Sequence, residues 1–305
     1  MKTAFIFPGQ GSQEPRMGER FYRQWDLSAS RLERLSDALS INLVSLCLDS
    51  NVDRLRSTEN TQPAVFGVGV SVFEGLQRRL DLDPDYVAGH SLGHFTALSC
   101  ADSIPPEKGV QIVRERGEIM ADVAAASDPG KMVAILFVDP VDVTDACEGF
   151  EAVSVAGFNG PRQTVVSGRK DSVKRVRSRI EESHRARFVE LDVGAPFHSP
   201  LMADAKDAFR QYLEKYSFKD PSIPVVSDVS GDLYTAAEVP ESELVEQITA
   251  PVDWVGVVET LCDEGVQRYI EFPPTGEIGE LVRRTHPEAE VVSLDSPEVI
   301  TEEFV

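Results

Sequence analysis

Short apolar runs alternate along the chain with longer stretches of helical periodicity. The runs at 4–7, 86–88, 133–138, 164–167, 188–191, 224–227 and 269–272 predict strands. Apolar positions at helical spacing predict helices over 31–48, 63–80, 92–101, 107–124, 171–184, 201–216 and 252–264. Such alternation predicts an α/β fold around a parallel sheet. The middle of the chain breaks the rhythm. Residues 127–194 give a strand, an acidic helix-like stretch at 140–148, further strands, a helix and a last strand. This pattern predicts a small α+β insertion, entered at Asp128-Pro129-Gly130 and left at Gly194-Ala195-Pro196. Residues 1–126 and 195–305 then form the large unit around it.

Composition narrows the function. The chain has 305 residues, 42% hydrophobic and 27% charged, so it can bury a sizeable core. Its net charge of −21 argues against a nucleic-acid binder and against a polybasic membrane anchor. Cys47, Cys100, Cys147 and Cys262 form no CxxC pair, which argues against a disulfide framework or a structural zinc site. Pro8 breaks the first apolar run too early for a signal peptide. No apolar run approaches the ~18 residues of a membrane span. The chain is expected to be soluble and cytoplasmic.

Gly89-His90-Ser91-Leu92-Gly93 has the G-x-S-x-G form. It follows the predicted strand at 86–88 and opens the predicted helix at 92–101. A serine on so tight a turn exposes its hydroxyl, and glycines on both sides let the backbone bend and a substrate approach. The helix N-terminus adds N–H donors suited to an oxyanion. Ser91 is therefore the candidate nucleophile, against the plainer reading of a Gly-rich turn.

A serine hydroxyl needs a base. His90 and His94 lie too close in sequence to serve and read as structural. His184 ends a basic helix, and His286 lies in a polar stretch beside Pro287. His198 stands in Ala195-Pro196-Phe197-His198-Ser199-Pro200, a loop that proline can hold rigid, and is the candidate base. The Gly-rich stretch Phe7-Pro8-Gly9-Gln10-Gly11-Ser12-Gln13 follows the first strand. It lacks the lysine and spacing of a phosphate-binding loop. Its backbone could supply oxyanion donors at the C-terminal edge of the sheet.

Arg116 lies on the line from Ile112 to Met120 and faces the apolar side of its helix, whereas Arg114 points away. A buried guanidinium needs a carboxylate or similar partner. That partner is either internal or the carboxylate of a substrate.

These pieces resemble the malonyl-CoA:acyl carrier protein transacylase family, which includes the acyltransferases of polyketide synthases and their free-standing relatives. The likeness runs the full length. It rests on FPGQGSQ at 7–13, TQPA at 61–64, GHSLG at 89–93, RG at 116–117, FN at 158–159, APFHS at 195–199 and APVDW at 250–254. It implies a hydrolase-like large subdomain with a ferredoxin-like small subdomain inserted. It implies Ser91 as the acylated nucleophile and His198 as general base. The N–H groups of Gln10 and Leu92 would form the oxyanion hole, and Arg116 would hold the free carboxylate of a malonyl group. A backbone carbonyl from 250–254 would orient His198. Gln62 and Asn159 match positions lining the site, and His90 is placed with them. Phe197 goes with malonyl rather than methylmalonyl, because its ring occupies the space of an α-methyl. The resemblance implies malonyl-CoA as substrate, an acyl carrier protein as partner, no metal or bound cofactor, and action as a monomer. Rival readings within the same motif set are an acyl-carrier-protein editing hydrolase and the transacylase subunit of a malonate decarboxylase.

Three positions depart from the family pattern. His94 replaces the usual Glu or Gln after GHSLG, Phe272-Pro273-Pro274-Thr275-Gly276 replaces a GPG turn, and Asp253 stands in APVDW. They argue against the housekeeping fatty-acid branch and leave room for a specialised polyketide-type enzyme. The acidic net charge also hides an exception, since residues 169–187 carry a local balance of +5. Lys170, Lys174 and Arg177 share one face there. It reads either as a solvated helix face or as a docking patch for an acidic carrier protein.

Overall fold

The structure, a computed structural model, describes residues 1–49, 52–80, 82–127, 129–234 and 241–304; Asp128 of the predicted entry turn lies outside them. Among the described residues ten strands form two sheets: β1 Lys2–Phe7, β2 Tyr86–Gly89, β3 Gly130–Leu136, β4 Val153–Gly160, β5 Gln163–Arg169, β6 Arg187–Glu190, β7 Val225–Val226, β8 Val252–Asp253, β9 Val266–Glu271 and β10 Glu290–Ser293. The first sheet has the order β10-β9-β1-β2-β7, and all its pairings are parallel. Along β1 the side chains alternate between two cores. Phe5 and Phe7 join one, and Ala4 and Ile6 join the other. Helices therefore cover both faces of the sheet, as a parallel sheet requires. Phe5, Phe7 and Phe272 pack with ring centroids 4.7 to 5.1 Å apart. Each such buried ring stabilises the fold by roughly 1.5–3 kcal/mol.

The second sheet has the order β6-β3-β5-β4-β8. Its strand–helix sequence β3, Pro140–Cys147, β4, β5, Lys170–Ser183, β6 is ferredoxin-like. The fold is thus a hydrolase-like parallel-sheet unit carrying a small α+β unit. β8 comes from the later part of the chain yet pairs with β4 at Gly157 and Phe158, tying the two units together.

Several predicted elements need correction. The helix expected over 31–48 is two helices, Asp26–Leu39 and Leu43–Leu48. Ser40 turns left-handed at φ 54, and the Asn42 side chain accepts the Ser45 N–H at 2.8 Å, starting a new helix. The strand expected over 133–138 ends at Leu136, because Phe137 adopts φ 72 and gives its N–H to the Arg162 carbonyl. The helix expected over 252–264 begins at Trp254, after β8, with the Asp253 carboxylate accepting the Gly256 N–H at its start. β10 carries no strong apolar run and was not anticipated. No helix among the described residues is long and apolar enough to cross a membrane.

Candidate active site

Ser91 sits where β2 turns into the helix Leu92–Cys100 and holds φ 51, ψ −107. This strained backbone is enforced by close approach. A Cβ on Gly89 would collide with the backbone of Gly93, and one on Gly93 with the Phe7 carbonyl. The hydroxyl is aimed at His198, whose Nε2 lies 2.8 Å from Ser91 Oγ. His198 itself holds φ 54 in the loop before the short 3-10 turn Pro200–Met202. Its Nδ1 faces the carbonyls of Gln247 at 2.8 Å and Ala250 at 3.0 Å. Two acceptors there put the proton on Nδ1 and leave the Nε2 lone pair for the serine. Burial first, then the charges of Arg116 and His90, push His198 down to about 3, so it is a neutral acceptor at physiological pH. Ala250 lies within the stretch expected to supply the carbonyl. Gln247 lies outside it.

Arg116 is 2% exposed. It donates to Gln62 Oε1 at 2.9 Å and Gln247 Oε1 at 3.0 Å, and it reaches Ser91 Oγ at 3.3 Å. Among the described residues no carboxylate touches it, and its Nε has no partner. Burial lowers it to about 10, opposed by the charge of Asp228, so it remains a cation. Arg114 turns outward to Glu118 at 2.6 Å. The guanidinium is thus a buried, pre-positioned charge beside the Ser91 hydroxyl.

Ser91, His198, Arg116, Phe197, His90 and Asn159 line one cavity of about 90 Å³. His90 Nε2 and Asn159 Oδ1 lie 3.0 Å apart, joining the elbow to β4. Gln62 is buried behind Arg116. Gln10 enters from the β1 loop, and its side chain donates to Thr58 Oγ1 at 3.0 Å. The N–H groups of Gln10 and Leu92 make no protein hydrogen bond among the described residues. Gln10, Leu191, Val193 and Glu277 also line a neighbouring cavity of about 350 Å³. No group of three or more His, Cys, Asp or Glu side chains that could hold a metal occurs among the described residues.

Lys170, Lys174 and Arg177 lie apart from this cavity. They rim a groove of about 420 Å³ floored by Val133, Ile135 and Phe188. The alternate residues Met132 and Val165 face the Ser91 cavity, so the small sheet separates the two.

Sequence reasoning missed Gln247 and Asp228. Gln247 is 1% exposed and touches Arg116, His198, Asp228 and Ser91. Its signal was available, since it lies three residues after Leu244 and one before Ile248, at helical spacing from both, in the turn that follows the helix Glu241–Glu246. Asp228 follows β7 at the C-terminal edge of the parallel sheet, where ligands gather in open α/β folds.

The chain is similar to known proteins over nearly its whole length. The family model for the acyl transferase domain matches residues 4–296. The malonyl CoA-acyl carrier protein transacylase of Bacillus subtilis is 34% identical over 98% of this chain and 95% of its own. The polyketide biosynthesis malonyl CoA-acyl carrier protein transacylase BaeC of Bacillus velezensis is 35% identical over 94% of this chain and 97% of its own. A solved malonyl-transacylase, in complex with its type II polyketide acyl-carrier protein, superposes with TM-score 0.94 at 29% identity, covering 99% of this chain and 98% of that one. The chain belongs to the acyl transferase family to which these malonyl CoA-acyl carrier protein transacylases also belong.

Proposed function

We propose that the protein moves a malonyl group from malonyl-CoA to the phosphopantetheine thiol of an acyl carrier protein, for polyketide or fatty-acid synthesis. The observation that carries this reading is the placing of Arg116 within 3.3 Å of a serine hydroxyl that is itself 2.8 Å from a neutral imidazole. A plain esterase has no use for a buried cation at that point, whereas a malonyl group carries a free carboxylate to meet it.

Ser91 Oγ attacks the thioester carbonyl carbon as His198 Nε2 takes its proton. The N–H groups of Gln10 and Leu92 stabilise the oxyanion. The carbon–sulfur bond then breaks, and the departing CoA sulfur takes the proton from His198. In the second half, the carrier thiol gives its proton to His198 and attacks the ester carbonyl, and the carbon–oxygen bond to Ser91 breaks as Oγ regains its proton. The pantetheine arm enters through the cavity bounded by Gln10, Leu191, Val193 and Glu277. Phe197 fills the space beside the α-carbon, which favours malonyl over methylmalonyl by roughly 1–3 kcal/mol. Gln62 fixes the guanidinium, and His90 with Asn159 forms the wall towards β4.

On the same reading, residues 1–126 and 195–305 form the catalytic unit and 127–194 the inserted one. Lys170, Lys174 and Arg177 steer the acidic carrier, and the enzyme works as a cytoplasmic monomer. The test compares CoA release from malonyl-CoA with and without holo carrier protein. Release that depends on the carrier and loads it with malonate supports transfer. Equal release without the carrier would make the protein a hydrolase.

A further inference from the structure

Beneath Ser91 lies a second ionisable side chain with no assigned part in the reaction. Asp228 follows β7, the neighbour of β2, and is 0% exposed. Its Oδ2 accepts the Ser91 N–H at 2.7 Å. Gln247 Nε2 donates to its two oxygens at 2.9 and 3.0 Å, and to the Ser91 carbonyl at 3.1 Å. The same Gln247 turns its amide oxygen to Arg116 and its backbone carbonyl to His198. A carboxylate only accepts hydrogen bonds, so Asp228 forces the Gln247 amide to point its NH₂ inward and its oxygen at the guanidinium. It also places a negative charge one side chain away from an Arg116 that no carboxylate touches among the described residues.

We propose that Asp228 is a positioning residue whose carboxylate pins the Ser91 elbow and, through Gln247, aligns Arg116 and His198 for acyl transfer. The proposal rests on the reading of Ser91 as the acylated nucleophile. The ionisable groups that face Asp228 are His90 in the elbow, His94 and Arg116 on their helices, and Tyr234 and Glu243 beyond them. His94 Nδ1 lies 3.8 Å from Oδ1. Burial lowers His94 to about 3, so it brings no positive charge near neutral pH. Burial raises Asp228 to about 6, whereas His198 stays neutral far below that. Acidification therefore protonates Asp228 first. That puts an O–H donor where the Ser91 and Gln247 N–H groups need an acceptor.

The test is Asp228→Asn, a near-isosteric change that places an NH₂ among the same donors. Self-acylation is followed with malonyl-N-acetylcysteamine thioester, which carries no phosphate to titrate, across pH 5 to 8. Thermal stability is measured at pH 8. The expected kcat is about ten- to hundredfold lower, the worth of one charge-assisted hydrogen bond, with KM raised as well because Gln247 no longer holds Arg116 on the substrate carboxylate. The wild-type rate is expected to fall below about pH 6, and that fall is expected to be absent from the variant. Tm at pH 8 is expected to hold or rise. A carboxyl raised in the fold costs stability once ionised, and Asn carries no such cost. A kcat within twofold of wild type, a loss of rate matched by a loss of Tm, or a wild-type rate that stays flat down to pH 5 would each overturn the proposal. A wild type that takes up no acyl group would bring down the Ser91 reading and this proposal with it. A wild type that acylates beside an unimpaired Asn variant would bring down this proposal alone.

Discussion

Ser91 and His198 both hold a positive φ, 51 and 54, yet the chain enforces the two in different ways. The elbow is fixed by main-chain packing among near neighbours. Gly89 meets Gly93, and Gly93 meets Phe7 on the adjoining strand. The histidine loop is fixed by hydrogen bonds to carbonyls 49 and 52 residues further along the chain. The elbow is therefore a steric device and its partner an electrostatic one. Changing the first threatens the fold, whereas on the proposed mechanism changing the second threatens the proton transfer.

Gly93→Ala puts a Cβ against the Phe7 carbonyl, which has no side-chain freedom to yield. It is expected to cost about 3 kcal/mol or more and to depress Tm and soluble yield together. His198→Ala is expected to leave Tm near wild type while self-acylation falls about 10³-fold or more, measured by stopped-time mass spectrometry. If Gly93→Ala kept its Tm, or if His198→Ala unfolded, the contrast would be lost.

Arg116 sharpens the comparison, because on the proposed function it serves the substrate rather than the fold. Arg116→Ala is expected to lower kcat/KM for malonyl-CoA about a hundredfold and to change acetyl transfer far less. Equal loss for both acyl groups would reassign Arg116 to a structural role.

Acid stability offers a smaller test. His198 and His94 are lowered in the fold to about 3 from an ordinary value of 6.5. Their neutral forms thus contribute stability that is complete above about pH 6.5 and is lost as pH falls towards 3. Asp228, raised to about 6, works in the opposite direction between pH 6 and 4, as do Glu243 and Glu277, which burial also raises, whereas burial lowers His90 as it lowers the other two histidines. Tm is expected to fall between pH 7 and 5, and to fall less steeply in His198→Ala. Parallel curves for the two proteins would show that His198 is not the group concerned.

The smallest effect concerns the outer groove of the small sheet. Reversing Lys174 and Arg177 to Glu is expected to raise the carrier-protein KM several-fold, as loss of electrostatic steering does, and to leave self-acylation unchanged. A KM that does not move would leave these residues as a solvated helix face.

The same contrast explains what the sequence made legible. The elbow was readable because a steric demand is met by glycine, and glycine is visible in a sequence. The parallel sheet was readable because β1 and β2 are continuous apolar runs. Arg116 was readable from its place on the apolar line through Ile112 and Met120. The clamp on His198 was not, because any residue can offer a backbone carbonyl, so Gln247 and Ala250 carry no side-chain signature of that role. β8 was hidden inside an apparent helix, since two residues give no periodicity. Asp228 follows the apolar run at 224–227 as an ordinary turn acid. Only the fold of the later chain against the elbow gives it a task.

The most direct test of the account is the intact mass of the protein after mixing with malonyl-CoA alone. The account predicts a gain of one malonyl group on the wild type, its discharge on adding holo carrier protein, and no gain on Ser91→Ala. An unmodified wild type, or an adduct that persists in Ser91→Ala, would contradict it.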